Sequence, residues 1–171
     1  MTDVQPTVPF DLFLIGDTGD ISLARPDPVL QTLCAHFDAE QASGVIFLGD
    51  NIYPRGMPPI SNILRKNAER TLNQHYKILK DYTGKLVFIA GNHDWNKGRK
   101  DGYDYIVRQE QYMRKLFGER EVFLPANGCP GPVEINLNPH LTVVAIDTQW
   151  WLQTGLRPIG KQYGCGVSTE E

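Results

Sequence analysis

The sequence predicts an α/β fold whose chemistry gathers at the ends of strands. Three observations predict it. Four short apolar runs are spaced along the chain, segments of helical period lie between them, and each run stops at a polar residue. The runs cover residues 12–15, 45–48, 86–90 and 141–146. Their length and their Val, Ile, Leu and Phe content suit strands buried on both faces.

The helical segments follow in order. Val29, Leu30, Leu33, Cys34 and Phe37 form one apolar stripe, with Pro28 at the first helical position. Ile63, Leu64, Leu72, Tyr76 and Leu79 mark a second helix with less regular spacing. Tyr105, Ile106, Tyr112, Met113, Leu116 and Phe117 mark a third, closed by Gly118. Residues 125–139 are rich in Pro, Gly and Asn and read as a long surface connection with one short strand near 133–137. There is no internal repeat.

A chain of 171 residues with 41% apolar content suits one domain with a sizeable core. The net charge of -3 gives no nucleic-acid-binding signature. The short basic cluster Lys97, Arg99 and Lys100 reads as a solvated loop. Cys34, Cys129 and Cys165 show no CxxC spacing, which argues against a zinc knuckle or redox pair. Their odd number argues against a fully disulfide-bonded secreted framework and leaves a Cys129–Cys165 bridge open. No signal-peptide pattern and no membrane-length apolar run is present, so the chain as written is expected to be soluble and cytoplasmic. The sequence carries no signal for oligomeric state.

The polar ends carry the functional argument. They read Gly16-Asp17, Gly49-Asp50, Gly91-Asn92 and, after the fourth run, Asp147. In open α/β sheets, ligands bind beyond the carboxyl ends of strands. A glycine before three of these residues lets the backbone bend sharply or approach closely. Asp17 to Asp50 is 33 residues and Asp50 to Asn92 is 42, each enough for one strand-helix-strand unit. Neighbouring parallel strands then place these side chains on one edge of the sheet. Gly-Asp alone is a common turn dipeptide. Three such ends in order, the third reading Gly91-Asn92-His93-Asp94, give two carboxylates, an amide oxygen and an imidazole. That set suits a hard divalent or trivalent cation.

These motifs resemble the calcineurin-like metallophosphoesterase superfamily, and within it the purple acid phosphatase type. The stretch Gly16-Asp17-Thr18-Gly19 has Gly where the superfamily's common Asp-x-His opening has His. The second motif is Leu48-Gly49-Asp50-Asn51-Ile52-Tyr53, the third is Gly91-Asn92-His93-Asp94, and a weaker echo is Ala145-Ile146-Asp147-Thr148. The resemblance spans about residues 10–150.

It implies a metallophosphoesterase-type α/β/β/α sandwich. It implies that Asp17 and Tyr53 bind a first metal, Asp50 bridges two metals and Asn92 binds the second. Tyr53 as a phenolate implies Fe(III) paired with divalent Fe, Zn or Mn. His93 would then donate a hydrogen bond to the substrate phosphate or leaving oxygen, and Asp94 would orient its imidazole. Asn51 would contact phosphate or shape the turn. The implied reaction is attack of a metal-bound hydroxide on a phosphate ester, the metals and His93 neutralising charge on the phosphoryl group.

The resemblance also implies three later histidines, in Gly-His and Gly-His-x-His motifs, which the sequence does not contain. His36 and His75 fall in helical segments and His140 lies at the wrong end of its run, so none is expected to be a ligand. The expectation is one domain, 1–171, cut at its C-terminal side, that binds metal weakly and turns over poorly alone. Two other readings compete. Asp17-Thr18-Gly19 is also the aspartic protease triplet, which a single copy would require a homodimer to complete. A non-catalytic scaffolding module of the same fold is the other. Trp150 and Trp151 read as core packing or as a pocket wall, and the loops 54–59 and 95–101 flank the site.

Overall fold

The computed structural model describes residues 9–20, 27–37 and 42–168. Strands β1 (Phe10–Ile15), β2 (Ala42–Phe47) and β3 (Lys85–Phe88) form a parallel sheet in that order. Phe10 lies opposite Ala42, and Gly44 opposite Lys85. Side chains alternate across a strand, so the sheet has two apolar faces. Phe13, Ile15, Val45, Phe47, Leu86 and Phe88 face the helices α1 (Pro28–Ala35), α2 (Arg65–Leu79) and α3 (Gly102–Phe117). Leu12, Ile46 and Val87 face a second, two-stranded sheet of β4 (Val133–Asn138) and β5 (Leu141–Ala145).

The α/β class therefore holds, with two corrections. The fourth apolar run does not join the parallel sheet. It pairs antiparallel with β4, within the stretch read as a surface connection. Only Pro139 and His140 separate the two strands, and a link that short permits a hairpin but not a parallel crossover. A second correction concerns β1. Among the described residues it is an edge strand rather than one buried on both faces, and Leu14 is 57% exposed.

The helices begin where their local chemistry allows. Asp27 caps α1 by accepting the Leu30 amide at 3.0 Å, and Pro28 opens the helix without needing its missing N–H. Ile63 and Leu64 precede α2 and are exposed. The buried face of α2 is Ala68, Thr71, Leu72, His75 and Leu79. Gly118 closes α3 at φ 64.

Among the described residues no helix covers the outer face of the hairpin, so the layers are α/β/β. A short helix α4 (Gln149–Leu152) follows β5, and its Trp150 is fully buried, donating to the Pro158 carbonyl at 3.0 Å. That is the packing reading of Trp150; Trp151 is half exposed. Cys129 and Cys165 form a disulfide, and Cys34 is free. No described helix is long and apolar enough to cross a membrane.

Candidate metal centre

The three parallel strands deliver Asp17, Asp50 and Asn92 to one edge of the sheet, and backbone bonds stitch their turns together. The Asp17 amide donates to the Gly49 carbonyl at 3.2 Å, and the Gly19 amide to the Asp50 carbonyl at 2.8 Å. Asp17 and Asp50 both adopt positive φ, at 58° and 54°. Such conformations are uncommon outside glycine and are held by surrounding structure.

Two glycines make this closeness possible. A Cβ at Gly91 would stand 2.3 Å from Asp50 Oδ1, and one at Gly19 would stand 2.4 Å from the Ile52 amide nitrogen. Gly16, expected to serve the same purpose, has nothing within 4 Å of its Cβ position.

Tyr53 stands between the two carboxylates. Its hydroxyl lies 2.8 Å from Asp17 Oδ1 and 2.8 Å from Asp50 Oδ2. Desolvation, then the hydrogen bonds and negative charge of Asp17 and Asp50, push its phenol well above the usual range. On the other side, the Asn92 amide lies 3.3 and 3.2 Å from the two Asp50 oxygens. With its nitrogen inward it donates to them. With its oxygen inward, three oxygens would face one another, an arrangement that a cation would satisfy.

His93 completes the edge. Its amide donates to Asp50 Oδ1 at 3.0 Å, and its Nε2 lies 3.9 Å from Asp50 Oδ2. Its ring sits 4.1 Å from that of Tyr53, centroid to centroid. Nδ1 lies 2.8 Å from the Pro54 carbonyl, which only accepts, so Nδ1 carries a proton.

That contact corrects the expectation for Asp94. Pro54, not Asp94, fixes the imidazole. Asp94 is fully buried and out of substrate's reach. Its Oδ2 accepts the Gly91 amide at 2.8 Å, the Asn51 amide at 3.2 Å and the Asn51 side chain at 3.1 Å. Burial raises its carboxyl to about 6. Asn51 is corrected likewise: it is fully buried, and its side chain also donates to the Ile89 carbonyl at 2.8 Å. Of its two expected roles, substrate contact is closed to it and turn shaping is the one its bonds perform.

Two further residues reach this site from below. Asp147, buried after β5, accepts the Trp95 indole N–H at 2.7 Å. His75, on α2, lies 2.9 Å from the Thr18 hydroxyl. The sequence held a signal for His75, because it falls three residues after Leu72 and four before Leu79, on the apolar stripe.

The order of motifs, the shared sheet edge and the sequence match agree. Residues 10–158 match the calcineurin-like phosphoesterase family. The chain belongs to the calcineurin-like phosphoesterase family. Searches of curated proteins and of solved structures returned no match. Membership sets aside the aspartic protease reading, in which Asp17 would face a second Asp-Thr-Gly copy rather than Asp50 and Tyr53.

Calcineurin-like phosphoesterases generally bind two metal ions. Asp17, Asp50, Tyr53 and Asn92 fit a hard cation by donor type and convergence. The set is sparse, however: among the described residues no group of three or more His, Cys, Asp or Glu is placed to hold a metal.

Proposed function

We propose that this phosphoesterase chain carries part of a two-metal, purple acid phosphatase-like centre that hydrolyses phosphate esters. The observation that carries the reading is the Tyr53 hydroxyl, held 2.8 Å from both Asp17 and Asp50. In this reading Asp17 and Tyr53 would hold Fe(III), Asp50 would serve both ions, and Asn92 would hold divalent Fe, Zn or Mn. The cations supply Lewis acidity toward water and phosphate.

The chain's own residues then orient and donate. With Nδ1 engaged by Pro54, His93 donates from Nε2 only as the imidazolium, which places positive charge beside a developing phosphoryl anion. Tyr53 and Asp50 flank that ring. Asp94 and Asn51 hold the second and third turns in register from beneath. In this reading the coordination would draw on groups beyond Asp17, Asp50, Tyr53 and Asn92.

The test is metal analysis with hydrolysis of p-nitrophenyl phosphate. Metal uptake at saturating concentration, and turnover, however slow, that falls by orders of magnitude in Asp50→Ala, support the reading. A second reading, a non-catalytic module of this fold, draws on the sparse ligand set. Protein that takes up no metal at saturating concentration and stays inactive would favour it.

A further inference from the structure

His75 is fully buried, yet it is placed among the strand ends rather than away from them. Its Nδ1 lies 3.0 Å from the Thr71 carbonyl, so Nδ1 bears the proton. Burial lowers the imidazole to about 4, which leaves the ring neutral and Nε2 an acceptor. The group 2.9 Å from Nε2 is the Thr18 hydroxyl, which therefore donates. Both polar atoms of the ring are thus committed. The ring itself is fixed by edge contacts with Phe47 of β2, at 5.3 Å, and Phe88 of β3, at 5.8 Å.

Thr18 sits between two anchored residues. Asp17 and Gly19 are tied by backbone bonds to Gly49 and Asp50, and the Tyr53 amide donates to the Gly19 carbonyl at 3.2 Å. Those bonds join the first turn to the second. Among the described residues, the hydrogen bond that ties it to the helix layer below is that of Thr18, through a side chain that is 6% exposed. Asp17 needs such an anchor, because its φ of 58° is not one it holds freely.

We infer that His75 is a positioning residue of the centre, acting through the Thr18 hydroxyl to hold the Asp17 turn where its carboxylate meets Tyr53. The inference rests on the reading of Asp17 as a metal ligand only for its functional consequence. The positional claim stands on the metal-free protein.

The test uses the whole chain with Thr18→Val, Thr18→Ala and Thr18→Ser. Valine and alanine remove the hydroxyl; serine keeps it. The metal-free readout is the Tyr53 side-chain resonance in protein labelled with 13Cζ-tyrosine, assigned through Tyr53→Phe. The His93 amide resonance, which reports the Asp50 end, is the internal control. Thr18→Val and Thr18→Ala should move the Tyr53 signal and leave the His93 amide in place, while Thr18→Ser leaves both. In Mn(II) titrations the hydroxyl-free variants should bind about 10- to 100-fold more weakly, with Thr18→Ser close to the parent. A Tyr53 signal unchanged in both folded hydroxyl-free variants overturns the inference. If the parent binds no Mn(II), the functional reading fails while the Tyr53 signal still decides the positional one.

Discussion

Asp147 and Trp95 are 52 residues apart in sequence, and a 2.7 Å hydrogen bond joins them beneath the sheet edge. The bond ties the hairpin layer to the loop that follows Asn92 and His93. Asp147 also accepts the Trp150 amide at 3.2 Å, so it opens α4 as well.

This buried acid gives the fold a pH signature. Desolvation raises Asp147 from 3.8 to about 7; bonds from Trp95, Trp150 and Gln149 oppose the shift, and Asp94 adds to it. The folded state therefore holds a proton that the unfolded state has lost. Stability should fall as pH rises from about 4 to about 7 and level off above. Asp94, raised to about 6, adds to the lower part of that window. Asp147→Asn keeps an acceptor for Trp95 but cannot accept the amides of α4 as well. Urea titrations from pH 4 to pH 8 should show the variant weaker at low pH, with the gap narrowing as pH rises. A constant gap would contradict the assignment.

The glycines before the polar ends are not equivalent. Gly91→Ala drives a methyl against Asp50 Oδ1, whereas Gly16→Ala meets nothing. Gly91→Ala should cost about 1–3 kcal/mol and weaken metal binding at least tenfold. Gly16→Ala should stay within about 0.5 kcal/mol of the parent. Denaturation together with Mn(II) titration reads both.

Asn51→Ala separates turn shaping from substrate contact. It removes bonds to Ile89 and Asp94 in a fully buried setting, so stability should fall by about 1–3 kcal/mol. A residue that touched substrate would instead raise KM with stability intact.

The disulfide closes 36 residues between Cys129 and Cys165. Chain entropy for a loop of that size predicts a loss of about 3–4 kcal/mol on reduction. Melting with and without dithiothreitol measures it; Cys34 is unpaired in either state.

These outcomes also mark what the sequence could reveal. Asp17, Asp50 and Asn92 were legible as one edge because each ends an apolar run at a spacing that suits a parallel crossover. Strand direction was not legible for residues 141–145, since an apolar run looks the same in either sense until its partner is known. The burial of Asn51 and Asp94 was hidden for a similar reason: polar residues beside a motif look like ligands, and only the three-dimensional turn puts them underneath. His75 was legible by its helical spacing, but its partner Thr18 lies 57 residues away. The Asp147–Trp95 bond joins the segments that follow strands of two separate sheets, which no local pattern encodes.

The central claim is that Tyr53, Asp17 and Asp50 form one metal-binding group. The most direct measurement is visible absorption of the protein loaded with Fe(II) and oxidised in air, with Tyr53→Phe alongside. The parent should show a phenolate-to-iron band that Tyr53→Phe abolishes. No band at saturating iron, or the same band in Tyr53→Phe, would contradict it.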